Sequence, residues 1–180
     1  APTQCEHIIT DAGLQVLFVE NDEQLDKFLE IEAQVPDLGL VVIFDMDGLE
    51  GLDHPKIISW DQLLDEGRAF VAQNPGHLDD AVAGSQSDDV CLLVYTSGTT
   101  GKPKGTMITS RNIIAAMRYA DTVFEPTPGA SMISYLPLAH IYERSLGAYL
   151  QIAHGLNVCF AESVQTVFDN IREVSPEIMN

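Results

Sequence analysis

The residues best suited to chemistry lie together at positions 95–105, directly after an apolar run at positions 90–94. They combine glycines, hydroxyl side chains and two lysines, in the order Tyr95, Thr96, Ser97, Gly98, Thr99, Thr100, Gly101, Lys102, Pro103, Lys104, Gly105. Backbone N–H groups approach phosphate oxygens closely where glycine has no Cβ, and hydroxyl and ammonium groups add further donors. The segment therefore predicts a phosphate-binding loop that follows a buried strand, which points to nucleotide chemistry.

Two common phosphate-binding patterns do not fit this loop. A Walker loop needs serine or threonine directly after its Gly-Lys pair, whereas Pro103 follows Lys102 here. The dinucleotide pattern Gly-x-Gly-x-x-Gly is also not met by Gly98, Gly101 and Gly105. The loop is thus of another type.

Residues 95–105 fill every fixed position of Tyr-Thr-Ser-Gly-Thr-Thr-Gly-x-Pro-Lys-Gly, and so resemble the phosphate loop of the adenylate-forming superfamily of acyl-CoA synthetases. A second segment, Leu136-Pro137-Leu138-Ala139-His140, is similar to the Leu-Pro-Leu-x-His motif of the long-chain fatty-acid branch. The resemblance implies an AMP-forming ligase. Such an enzyme uses ATP and Mg²⁺ to convert a long-chain fatty acid to an acyl-adenylate, and then transfers the acyl group to coenzyme A.

The resemblance also implies roles for individual residues. All residues from 95 to 105 would bind ATP, with Lys104 at a fixed position of the motif and Lys102 at a variable one. Thr96 matches the position that coordinates magnesium, and His140 would border the adenylate and the acyl group. Glu143 and Arg144 follow His140, and their interpretation as a local ion pair is as good as a role in the second motif.

Apolar runs and helical periodicities alternate along the chain and predict an α/β fold of the βαβ type. We expect a largely parallel sheet with flanking helices, which the resemblance makes part of the adenylate-forming N-terminal domain. Strands are predicted at 14–20, 38–44, 90–95 and 156–160. Helices are predicted at 22–34, 146–153 and 164–174, and after the N-cap residues Ser59 and Ser110.

The resemblance covers essentially the whole chain but only part of the family's architecture. We therefore expect residues 1–180 to form a partial AMP-binding domain, without the small C-terminal domain and its catalytic lysine. Such a fragment is expected to be inactive by itself.

The charge of the chain is strongly negative, at −18, and unevenly distributed. Residues 1–95 hold twenty acidic and three basic residues, whereas residues 96–180 hold seven acidic and six basic residues. Two of the four lysines are Lys102 and Lys104. A surface this acidic argues against a nucleic-acid partner. The acidic half is interpreted as a solvated surface, with adaptation to high salt as an alternative.

Cysteines and apolar runs bear on the cellular compartment. Cys91 and Cys159 lie in apolar strand-like runs and are predicted to fill the core in a reducing environment. The sequence has neither an apolar run long enough to span a bilayer nor a signal-peptide pattern at residues 1–6. We expect a cytoplasmic protein, with peripheral membrane contact as a further option.

Three other functions remain open from the sequence. Asp45 and Asp47, at the end of the run Val41-Val42-Ile43-Phe44, resemble the paired aspartates of haloacid dehalogenase-type phosphatases, although the later motif residues occur in the wrong order. The same phosphate loop serves peptide-synthetase adenylation domains and luciferases, which activate other carboxylates. A non-catalytic nucleotide-binding module is the remaining alternative.

Overall fold

The computed structural model describes residues 1–96 and 101–179. The chain divides into two compact units, one formed by Ala1–Ser85 and Ser97–Gly105, the other by Gln86–Thr96 and Thr106–Asn180. Each unit is described by itself below.

Three parallel strands and four α-helices make up most of the first unit. In chain order its elements are α1 (Pro2–Ala12), β1 (Val16–Val19), α2 (Asp22–Leu29), a 3₁₀ turn (Glu32–Gln34), β2 (Leu40–Ile43), β3 (Ile57–Ser59), α3 (Trp60–Gln73) and α4 (His77–Gly84). The strands form one sheet in the order β1-β2-β3, with Val16 opposite Leu40 and Val41 opposite Ile57. The predicted βαβ arrangement with parallel strands is confirmed here.

The central strand β2 carries the core of this unit. Val41, Val42 and Ile43 are fully buried, as expected for a middle strand of a parallel sheet whose faces are both covered. Leu25 and Phe28 of α2 belong to one apolar cluster with Val41 and Ile43. Their spacing places both side chains on one face of the helix. Helix α2 thus covers the sheet as its sequence pattern predicts.

Side-chain caps define where two helices of this unit begin. The Asn21 side chain accepts a hydrogen bond from the N–H of Gln24 at 3.2 Å and starts α2. The predicted cap Ser59 starts α3, where its hydroxyl accepts from the N–H of Gln62, and the Gln62 side chain accepts from the N–H of Ser59 at 2.8 Å. This reciprocal pair is a capping box.

The remaining elements include two further pairs of strands. They are β4 (Val90–Thr96), β5 (Lys104–Thr109), α5 (Ser110–Phe124), β6 (Ser131–Ser134), a π-helix (Glu143–Tyr149), α6 (Leu150–His154), β7 (Asn157–Phe160) and α7 (Val167–Val174). β4 pairs with β5, and β6 pairs in parallel with β7. Met132 of β6 and Leu150 of α6 are fully buried in the apolar cluster of the second unit.

Several local predictions differ from the structure. Cys91 is exposed on β4, where its Sγ lies 3.4 Å from the carbonyl oxygen of Ile108, so it does not fill the core. Helix α5 is capped by Thr109, whose hydroxyl accepts from the N–H of Asn112, and Ser110 is its first helical residue. Two apolar side chains of α5, Ile114 and Val123, are exposed.

Within residues 1–96 and 101–179, every helix is too short or too polar to cross a bilayer.

Candidate functional site

The described parts of the predicted phosphate loop lie next to two strand ends. β4 ends at Thr96 and β5 begins at Lys104, and the intervening Lys102 is exposed like both of these residues. Tyr95, Pro103 and Gly105 are half-buried. Four of the predicted ATP-binding residues, Ser97, Gly98, Thr99 and Thr100, lie outside the described residues. The segment thus follows a strand as predicted, but the expectation of a buried strand is wrong, because Val94 of β4 is buried while the other residues of this strand are exposed or half-buried. A second strand, β5, takes up the last two residues of the segment.

Two positive charges of this segment are available to an anion. Among residues 1–96 and 101–179, neither the Lys102 nor the Lys104 ammonium group forms an ion pair. Exposed, unpaired lysines close to a glycine-containing turn suit phosphate oxygens, which take charge-assisted hydrogen bonds from ammonium groups. The described part of the loop thus presents two exposed ammonium groups to an anion, and its assignment to the polyphosphate of ATP stays a prediction.

Gly101 is required by its backbone conformation. Its φ angle is +151°, which an L-amino acid side chain rarely tolerates, and a Cβ built on it would have none of the described residues within 4 Å. The conformation of the main chain therefore explains glycine at this position of the loop.

Helix α1 contacts the end of the loop. The His7 Nε2 lies 2.7 Å from the carbonyl oxygen of Pro103, and because a carbonyl only accepts, the imidazole donates from Nε2–H. His7 and Pro103 border a cleft of about 390 Å³ that is also lined by Lys102 and Glu6. His7 is not predictable from the sequence, since a lone histidine in a helix has no motif around it.

A metal site is not visible in the described chain. Among residues 1–96 and 101–179, no group of three or more His, Cys, Asp or Glu side chains is arranged to hold an ion. Thr96 presents an exposed hydroxyl at the end of β4. Its assignment as a magnesium ligand stays a prediction.

The second motif occupies the connection between β6 and the π-helix, in the second unit. His140 is exposed, and its Nδ1 accepts a hydrogen bond from the backbone N–H of Tyr142 at 3.2 Å, at the start of the helical turn. An Nδ1 that accepts has no hydrogen in the neutral ring, so the tautomer assigned by this hydrogen bond carries its hydrogen on Nε2. His140 therefore presents an N–H donor that suits a carboxylate or phosphate oxygen.

Glu143 and Arg144 do not pair with each other. The Glu143 carboxylate is fully buried, and its Oε2 accepts from the N–H of Leu136 at 3.3 Å. The Arg144 Nε donates to the carbonyl oxygen of Leu138 at 3.1 Å. Each charged side chain thus holds a backbone group of the Leu-Pro-Leu-x-His segment, and the interpretation as a local ion pair is wrong.

The two aspartates of the phosphatase alternative follow β2. Both are exposed, and Asp45 Oδ1 accepts from the N–H of Asp47 at 3.0 Å. A short side chain that accepts a backbone N–H two residues on forms an Asx turn, which is a structural role. The structure adds no lysine or metal cluster to these carboxylates within the described residues.

The chain is similar to known proteins over its whole length. The family described as "AMP-binding enzyme" matches residues 1–180. Long-chain-fatty-acid–CoA ligase ACSBG1 of Rattus norvegicus is 32% identical over 98% of this chain and 25% of its own length. ACSBG2 of Gallus gallus, also a long-chain-fatty-acid–CoA ligase, is 30% identical over 98% of this chain and 24% of its own. The chain thus spans about a quarter of the length of these relatives.

Solved structures show the same fold. The anthranilate CoA ligase AuaEII, in complex with anthranoyl-AMP, superposes with a TM-score of 0.74 at 22% identity, over 99% of this chain and 32% of that one. o-Succinylbenzoate CoA synthetase (MenE) from Bacillus subtilis, in complex with the acyl-adenylate intermediate OSB-AMP, gives 0.63 at 21% identity, over 99% and 39%. With a family match over its full length and the motif of residues 95–105, the chain belongs to the AMP-binding enzyme family.

Proposed function

We propose that residues 1–180 are a partial AMP-binding domain of an AMP-forming long-chain fatty-acid–CoA ligase. The observation that carries this proposal is the order of residues in the segment 95–105, where Lys102 and Lys104 follow Gly101, are exposed, and form no ion pair within the described residues. The names of the relatives at 30–32% identity support the fatty acid as the carboxylate.

The proposed reaction has two steps. A carboxylate oxygen of the fatty acid attacks the α-phosphorus of ATP, the bond to the bridging oxygen of pyrophosphate breaks, and acyl-AMP forms. The thiol of coenzyme A then attacks the acyl carbon, its proton is released and AMP leaves. The donors of this segment would hold the β- and γ-phosphates and stabilise the charge of the departing pyrophosphate.

Individual residues have distinct roles in this proposal. Lys104 binds a phosphate oxygen, Lys102 adds positive charge, and the His140 Nε2–H borders the adenylate and the acyl group. The Thr96 hydroxyl would be a ligand of Mg²⁺, which when bound supplies charge neutralisation at the phosphates. We place the enzyme in the cytoplasm, with peripheral contact to the membrane from which its substrate comes.

The test is ATP–pyrophosphate exchange catalysed by the whole protein with hexadecanoate. We expect exchange that depends on the fatty acid, and a loss of about 10²-fold for Lys104→Ala, since this is the usual effect of removing one donor to a developing negative charge. Lys27→Ala is the matched control, because Lys27 pairs with Glu23 on the surface of α2. Thr96→Ala should also lower exchange.

Two results would overturn the proposal. One is exchange that depends on an amino acid or an aromatic carboxylate and not on fatty acids, which would favour peptide-synthetase or luciferase-like chemistry. The other is exchange that Lys104→Ala leaves unchanged. Tight ATP binding without exchange would instead indicate a non-catalytic module.

A further inference from the structure

Glu143 is an acidic side chain in an unusual position. It is the first residue of the π-helix and is 0% exposed, although carboxylates are rarely buried without a specific partner. Its Oε2 accepts from the N–H of Leu136, seven residues earlier. Its Oε1 has no hydrogen-bond partner among the described residues. Burial of a carboxylate with only one of its oxygens hydrogen-bonded lowers the stability of the fold. A functional role of the contact with Leu136 would explain why this arrangement is present.

Gly147 makes room for this carboxylate. A Cβ at position 147 would overlap Oε1 of Glu143 and would lie 3.0 Å from its Cδ. Gly147 is buried, and glycine destabilises a helix interior relative to alanine by about 1 kcal/mol. The pair of Glu143 and Gly147, four residues apart, therefore forms one arrangement that keeps the carboxylate next to the Leu136 amide.

The segment that Glu143 holds is the one that carries His140. The N–H of His140 donates to the carbonyl oxygen of Pro137 at 2.8 Å, and its own carbonyl accepts from the N–H of Arg144 at 3.0 Å. Arg144 also holds Leu138, but through an exposed contact. The contact of Glu143 with Leu136 is partly buried, so competition from water is weaker there.

We propose that Glu143 is a positioning residue: its buried carboxylate fixes residues 136–140 through the Leu136 amide, and thereby sets where the His140 imidazole meets the acyl substrate. This inference rests on the proposed ligase function. Glu143 does not touch substrate; it acts through the backbone of the loop, and Gly147 is necessary for its placement.

Glu143→Gln and Glu143→Leu in the whole protein separate hydrogen bonding from packing. Gln keeps an acceptor oxygen for the Leu136 N–H, whereas Leu keeps an apolar side chain of similar size without an acceptor. We expect the KM for hexadecanoate to rise about tenfold in Glu143→Leu with the KM for ATP unchanged, and to stay near wild type in Glu143→Gln; loss of a buried hydrogen bond has this order of magnitude. Glu173→Leu, on the exposed side of α7, is the matched control.

Hydrogen exchange of the Leu136 amide provides a readout that does not need activity. We expect slow exchange in the wild type and in Glu143→Gln, and fast exchange in Glu143→Leu. Gly147→Ala, which keeps the carboxylate but displaces it, should also speed exchange of this amide and raise the KM for hexadecanoate. It tests the proposal even if Glu143→Leu does not fold.

Three results would overturn the proposed role of Glu143. Fast exchange of the Leu136 amide in the wild type, or unchanged exchange and KM in Gly147→Ala, would overturn the proposal. An equal rise of both KM values in Glu143→Leu would also do so, because it would indicate general loosening. If the wild type lacks exchange of pyrophosphate with any fatty acid, the ligase function fails, whereas protection of Leu136 still reports on Glu143.

Discussion

The Nε2 of His7 donates a hydrogen bond to the carbonyl oxygen of Pro103 over 2.7 Å, although 96 positions separate the two residues in the chain. Pro103 has no N–H of its own, so its carbonyl oxygen, which only accepts, is its one backbone hydrogen-bonding group. Helix α1 thus contacts the loop at the residue between Lys102 and Lys104. The conformation that presents the two lysines depends in part on a residue far outside the motif.

Removal of this imidazole should weaken the binding of ATP. We expect His7→Ala to raise the KM for ATP about two- to tenfold in pyrophosphate exchange, the range that corresponds to one net hydrogen bond. The KM for the fatty acid should not change. Thr3→Ala, which borders the same cleft, is the control. Equal KM values for His7→Ala and wild type would show that the contact does not position the loop.

Gly101→Ala should strain the loop without a clash. A non-glycine residue at such a φ costs about 1–3 kcal/mol, so the loop is expected to change conformation and the KM for ATP to rise roughly tenfold or more. Gly67→Ala is a control with the opposite expectation. Gly67 lies inside α3 with open space around its Cβ position, and alanine there should stabilise the protein by about 0.5–1 kcal/mol. Thermal unfolding and exchange kinetics measure both effects, and a normal KM for Gly101→Ala would contradict the prediction.

His140→Ala should alter the dependence of the rate on the acyl substrate. In the structure the Nδ1 of His140 accepts from the N–H of Tyr142, whereas the proposed function assigns the Nε2–H as a donor beside the adenylate and the acyl group. His140→Asn retains an acceptor for the helix start but loses the Nε2–H, so it separates the two. We expect both variants to have a raised KM for hexadecanoate, and only His140→Ala to lose stability as well, by about 1 kcal/mol. Wild-type kinetics in His140→Asn would mean that the histidine only caps the helix.

Burial predicts how the first unit responds to truncation. Leu25→Ala removes a side chain that is 1% exposed in the apolar cluster of α2 and β2, and should lower the free energy of unfolding by about 2–5 kcal/mol. Leu78→Ala removes the same atoms from a side chain that is 62% exposed on α4, and should have an effect close to zero. Urea unfolding of the whole protein compares the two variants. Similar losses would contradict the described packing of α2 on the sheet.

The sequence predicts the α/β class and part of the helix and strand order because these depend on local patterns. Ser59 is a cap because a hydroxyl precedes an apolar periodicity and Gln62 follows three residues later, and the structure confirms this. The prediction for Ser110 is off by one residue, since Thr109 is an equally good cap directly before it. Helix α4 is not predicted, because its N-cap residue, Gly76, has no side chain to cap it and because the surrounding segment is rich in loop-forming residues.

The residues of the candidate site that belong to a sequence motif are predictable, whereas those that are brought to it by tertiary contacts are not. Residues 95–105 and His140 are found from their order alone. The contact of His7 with Pro103 joins distant positions, and the burial of Glu143 contradicts the usual exposure of an acidic residue. The sequence offers one local feature here, a glycine at position 147 inside the predicted helix 146–153, and the structure shows that the Glu143 carboxylate occupies the space of its Cβ.

The π-helix that begins at Glu143 makes the length of this segment as significant as its composition. A π-helix holds more residues per turn than an α-helix, so deletion of a single residue between 144 and 149 would allow the chain to continue in ordinary α-helical geometry. Each residue of an α-helix turns the chain by about 100°, so deletion of a residue between Glu143 and Gly147 would turn the glycine away from the Glu143 carboxylate while leaving both residues in the sequence. This segment should therefore be intolerant of single-residue deletions.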